Sequence, residues 1–187
     1  MLTPPTLSVT AQALLAALTL TAAVYDVRFR RIPNWLVLAG IITGFVWNLY
    51  ADGWSGMGHA AEGLGLGFAL YFPLYLLKAR GAGDVKLLAA VGAIVGPGNC
   101  FWVFFLTAIL GGVIAMVILL LRGRVRRTFF NLSFIISDLT KLRAPHHSSE
   151  ELDVTKSKGL RLPHAAMVAV GVAAFIVMTQ FRIRIGA

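Results

Sequence analysis

Five stretches of this chain, 7–25, 35–50, 60–77, 101–121 and 164–181, approach or reach the length of a membrane crossing with almost no charge. A bilayer core of about 30 Å takes roughly 20 apolar residues as a helix, because backbone groups must bond to each other where water is absent. A sixth stretch, 85–98, is equally apolar but short; at about 1.5 Å per residue it covers some 21 Å. It is expected to borrow residues from its flanks, or to lie in a thinned or tilted arrangement. The composition agrees with this reading. Only 13% of the 187 residues are charged and 58% are hydrophobic, against about 25% charged in a soluble domain. That leaves little room for a soluble globular enzyme, a disordered chain or a nucleic-acid binder. The expected fold is an all-α integral membrane protein: one domain over 1–187, a polytopic bundle of about six transmembrane helices.

The net charge of +9 is informative by position. Arg28, Arg30 and Arg31 fall between the first two apolar stretches, and Lys78, Arg80 and Lys86 between the third and fourth. Nine more basic residues lie within 122–163, so fifteen of the seventeen occupy three alternate connections. The intervening segments 51–59 and 97–99 hold none. By the positive-inside rule the basic connections are cytoplasmic and the N-terminus is outside. Only Arg182 and Arg184 fall on the other side. No basic n-region precedes the first stretch, so a signal peptide is not expected.

The long basic segment has internal order. Arg122, Arg124, Arg126 and Arg127 form a run suited to anionic lipid headgroups. Phe129, Leu132, Ile136, Leu139 and Leu142 then recur at helical spacing among polar residues. This pattern predicts a cytoplasmic, interfacial amphipathic helix, followed by a mobile polar loop over 144–159. Cys100 is the single cysteine, which rules out an internal disulfide and a cysteine-cluster zinc site. The four histidines show no ligand spacing, so neither a metal nor a cofactor is expected.

Elimination narrows the chemistry. Of eight carboxylates, Asp52 and Glu62 fall on the outer side, Asp138 on the amphipathic helix, and Glu150, Glu151 and Asp153 in the polar loop. That leaves Asp26 and Asp84, each at the cytoplasmic edge of an apolar stretch. Two carboxyls that approach closely share one proton. The charged member can then deprotonate a water while the protonated member polarises a carbonyl, as in aspartic proteases. Gly81 and Gly83 precede Asp84 and leave room for a substrate backbone. Past Asp26, Arg30-Arg31-Ile32-Pro33-Asn34 ends one helix and starts the next. A structural role competes with catalysis at both sites: Asp84 as N-cap of a helix from Val85, and Asp26 as a helix-end acid paired with Arg28 or Arg30.

At these residues the sequence resembles the type IV prepilin peptidases, membrane aspartic proteases with a Gly-x-Gly-Asp motif. Tyr25-Asp26-Val27-Arg28-Phe29-Arg30-Arg31-Ile32-Pro33-Asn34 is similar to the family's first aspartate segment. Gly81-Ala82-Gly83-Asp84-Val85-Lys86 and the residues to Gly92 resemble the second, the more specific of the two. Arg161-Leu162-Pro163-His164-Ala165-Ala166 is similar to a third, weaker motif, often Pro-Tyr-Gly in relatives, from which His164-Ala165 departs. The resemblance implies Asp26 and Asp84 as the catalytic dyad, with Gly81, Gly83, Lys86, Arg31, Pro33 and Asn34 in support. It implies prepilin or pseudopilin substrates with a short basic leader, cut at the cytoplasmic face of the bacterial inner membrane. The short chain without a cysteine cluster is similar to the compact Tad/Flp-type branch. Larger relatives also methylate the cleaved pilin through a cysteine-bearing segment; without those cysteine pairs, peptidase activity alone is expected.

Three other readings compete. A proton- or ion-coupled transport subunit uses membrane carboxylates and glycine-broken helices too, but places its acids at mid-membrane. A scaffold of a secretion machine would tolerate loss of both acids. A presenilin-like protease shares Gly-x-Gly-Asp but would hold its first aspartate deep within a span, unlike Asp26 with its basic, proline-bearing flank.

Overall fold

In the computed structural model, residues 7–77, 81–121 and 163–185 are described, and these form four α-helices and no strand. They are α1 (Val9–Phe29), α2 (Asn34–Leu76), α3 (Ala82–Leu121) and α4 (His164–Ile185). All four are long and apolar enough to cross a membrane. Val24, Val27, Tyr50, Trp54, Leu76 and Phe181 stand on their outer faces. An apolar exterior of this extent suits lipid rather than water. The expected basic run, amphipathic helix and polar loop within 122–162 lie outside the described residues, as do Lys78 and Arg80.

The apolar stretches predict six helices; the described residues form four unbroken runs, of which α2 and α3 are each two helices joined at a kink. The difference arises at 51–59 and 97–99, predicted as connections. Both are helical apart from one glycine each. Gly53 (φ 62, ψ −143) breaks α2, and Gly96 (φ 74, ψ 174) breaks α3. Such positive-φ conformations are open essentially only to glycine, so a single residue bends the chain where a longer loop was expected. The bends are sharp. A Cβ on Gly56 would collide with the carbonyl of Asn48, and one on Gly92 would lie 3.2 Å from the Cys100 sulfur. In a straight helix eight residues span about 12 Å.

Contacts along α3 fix the directions. Gly40 packs near Ala90, and Gly44 against Ala93, so the first half of α2 runs parallel to the first half of α3. His59 lies against Gly96, Gly63 against Gly92, and Gly67 against Leu88, so the second half of α2 runs antiparallel. α1 is antiparallel to α4: Gln180 donates to Gln12 at 2.8 Å near one end, and Ala165 to Asp26 at 2.9 Å near the other. The first half of α3 is thereby enclosed. Every residue from Leu87 to Gly96 is buried, as in a helix packed on all sides.

Two features secure this packing. A Cβ at Gly63 would run into the carbonyl of Gly92, and one at Gly92 into that of Gly63, so only a pair of glycines permits the backbones to touch. Pro97 brings no N–H, which leaves the carbonyl of Ala93 without its intrahelical donor. Asn48 supplies one from α2, its amide nitrogen lying 3.0 Å from Ala93 O and 3.2 Å from Ile94 O.

Gly63→Val is therefore expected to lower stability in detergent by about 3 kcal/mol, the upper end of overpacking costs. Gly65→Val, where a Cβ meets nothing within 4 Å, should leave it nearly unchanged. Asn48→Leu orphans the Ala93 carbonyl and should cost about 1–2 kcal/mol. Thermal unfolding of the three variants beside the wild type checks both expectations.

Candidate active site

The first acid closes α1. Asp26 lies in the last turn, and its backbone carbonyl accepts the Arg30 N–H at 2.9 Å. Arg30 ends the helix in a left-handed conformation (φ 52, ψ 33), a role more often taken by glycine. The chain then runs to Pro33, whose extended backbone (φ −64, ψ 136) opens α2. Tyr25 meets Trp35 edge-on at 6.0 Å across this connection and holds the two helices at a set angle.

The second acid opens α3. Gly81 takes the N-cap place, its carbonyl accepting the N–H of Asp84 at 3.1 Å and of Val85 at 3.5 Å. The Asp84 carboxylate reaches back to the Gly81 N–H at 3.3 Å. This is the return half of a capping box, in which the N3 acid accepts the N-cap N–H; a glycine N-cap has no side chain for the other half. The helix thus starts at Ala82 and not at Val85, with Asp84 inside its first turn instead of at the N-cap. Among the described residues beyond its chain neighbours, a Cβ on Gly81 would have that carboxylate alone within 4 Å, at 3.7 Å.

Two contacts bring the start of α3 to the connection that follows Asp26. A Cβ on Gly83 would touch Ile32 at 3.4 Å, so Ile32 packs along one side of this partly exposed glycine. Lys86 Nζ donates to Asn34 Oδ1 at 3.2 Å. The structure therefore joins Gly81 with Asp84, and Lys86 with Asn34, and sets Gly83 beside the 30–34 segment. Within that segment Arg31 is exposed and Pro33 partly buried.

The third element is the start of α4. Ala165 N–H donates to Asp26 Oδ2 at 2.9 Å. The first turn of any helix has N–H groups with no internal partner, and Pro163 offers no side-chain acceptor for them. An acid from another helix meets the need. The pairing of Asp26 with Arg28 or Arg30 weighed from sequence gives way to this bond, while Arg28 lies over the Phe29 ring at 5.7 Å. His164 is buried with Nε2 2.9 Å from the Tyr71 hydroxyl, and Tyr71 in turn packs edge-on against Phe104 at 5.6 Å.

Sequence reasoning did not find Tyr71, and it named Ile32 and Ala165 within motifs without giving either a role. Pro163 ahead of a helix was a usable signal that an acceptor must come from elsewhere. Nothing local marks Tyr71, an aromatic residue within an apolar run. Among the described residues no three His, Cys, Asp or Glu side chains come together as a metal-binding group.

The profile of the type IV leader peptidase family matches residues 13–116, more than half of the chain, a range that holds both Asp26 and Asp84. Comparison with curated proteins gives no match, nor does comparison with solved structures. With helices fit for a membrane and a family match over most of their length, the chain belongs to the type IV leader peptidase family.

Proposed function

We propose that this peptidase is an aspartic endopeptidase with Asp26 and Asp84 as its dyad. Its substrates are prepilins or pseudopilins, cut between a short basic leader and the apolar helix that follows. One observation carries the reading. Asp26 at the end of α1 and Asp84 at the start of α3 lie at the same end of the bundle, and both border the 30–34 connection. A proton pathway would place its acids in mid-membrane instead.

The reaction consumes only water. One carboxylate takes a proton from the water, whose oxygen bonds to the scissile carbonyl carbon. The partner, protonated, donates to the carbonyl oxygen as negative charge develops there. When the intermediate collapses the C–N bond breaks, and the leaving amine takes up the proton. A substrate helix lying in the bilayer would present its leader junction at the depth of the dyad. The bends at Gly53 and Gly96 support two crossings each for α2 and α3, six in all with α1 and α4. The basic residues then set the N-terminus outside and the dyad at the cytoplasmic face of the inner membrane. Lys86 and the basic 28–31 segment border that face, where anionic headgroups gather.

The test is co-expression with a prepilin-like substrate in bacterial membranes, scored by N-terminal sequencing of the product. Asp26→Asn and Asp84→Asn are each expected to slow cleavage by about 10²- to 10⁴-fold, since an amide neither takes nor gives the proton. Asp52→Asn, at the opposite end of the bundle, should cleave as the wild type does. Gly83→Val should also cleave poorly, because its methyl groups would press on Ile32 and shift one acid relative to the other. Full activity in either dyad variant would defeat the proposal, and an inactive Asp52→Asn would defeat the orientation.

A further inference from the structure

The third motif is the part of the sequence whose contribution the dyad reading leaves unassigned. Pro163-His164-Ala165 opens α4 on a carboxylate 139 residues earlier in the chain, through the bond from Ala165 N–H to Asp26 Oδ2. A hydrogen bond of 2.9 Å from a helix backbone fixes the rotation of that carboxyl only as well as the helix end itself is fixed. Helix ends fray unless held. Here the holding group sits one residue away. His164 is 8% exposed and Tyr71 2% exposed, and their Nε2 and hydroxyl oxygen are 2.9 Å apart with the rings at 5.3 Å. Tyr71 belongs to the second half of α2, locked against the buried half of α3 through Gly67 and Leu88. The route from the enclosed core to the Asp26 carboxyl is therefore short and continuous: Tyr71 hydroxyl, His164 ring, the α4 backbone, Asp26.

We infer that Tyr71 and His164 are positioning residues for catalysis, their hydrogen bond holding the first turn of α4 so that Ala165 keeps the Asp26 carboxyl in its working orientation. The inference rests on the proposed role of Asp26. It assigns to the third motif a task that any side chain able to bridge from this helix start to the hydroxyl of Tyr71 performs, and the histidine here is one solution. Neither residue exchanges protons with substrate.

Steady-state cleavage of a purified substrate, a small protein with a lysine-rich leader ending in glycine before an apolar helix, tests this with the full-length enzyme in detergent. Tyr71→Phe removes one oxygen and keeps the ring contacts with Phe104 and His164, so it is the deciding variant. Its kcat is expected to fall about 10- to 100-fold at unchanged KM, the scale of a misplaced catalytic group. His164→Leu should fall equally, whereas His164→Gln, whose amide reaches close to the Nε2 position, should restore most of the activity. Thermal midpoints measured alongside separate this from a loss of fold. Tyr71→Phe with wild-type kcat beside an inactive Asp26→Asn overturns the positioning role alone. His164→Gln as poor as His164→Leu also overturns it. An active Asp26→Asn overturns the dyad reading and this inference with it.

Discussion

The contact between Gly63 and Gly92 sets how the rest of the bundle is arranged. Two backbones that touch without an intervening methyl place the second half of α2 as close to α3 as helices come, and the first half of α2 closes another side through Gly44. The first half of α3 is thus buried from Leu87 to Gly96, and in such surroundings each backbone polar group needs a partner from protein. Asn48 meets the one vacancy that Pro97 creates. Asp84 stands in the first turn of this helix, one turn before its enclosed part begins at Leu87.

Asp26 has the opposite setting. It lies at the end of a helix whose outer residues Val24 and Val27 are exposed, and it is followed by a strained turn at Arg30. Its rigidity comes from without, by the Tyr25–Trp35 contact and by the N–H of Ala165. The proposed dyad would join an acid at the start of α3 to one held by the first turn of α4. The Asp26 carboxylate has this backbone partner only where α4 packs on α1.

Much of this was legible in the residues. The apolar stretches gave the helical class, because hydrocarbon leaves the backbone few alternatives, and the family was readable from Gly-x-Gly-Asp with the basic, proline-bearing segment after Asp26. The form of the bends was not. Residues 51–59 and 97–99 look like connections by polarity and by glycine and proline content, yet they stay helical but for Gly53 and Gly96. A glycine signals a bend equally well whether helix or loop surrounds it. The start of α3 was misread for a similar reason: Gly81 caps with its backbone, which has no side-chain signature.

The sequence by itself determined that the chain makes long apolar helices and which acids are left at their ends, since both follow from hydrophobicity and charge along a line. Tertiary structure alone decided that α2 doubles back at a single glycine and that Ile32 packs beside Gly83. It also decided that Asp26 is held by α4 and that Tyr71 meets His164. Each of these pairs residues far apart in the chain, and such pairings depend on how backbones approach in three dimensions. Hydrophobic pattern specifies which faces are buried; it does not specify against what.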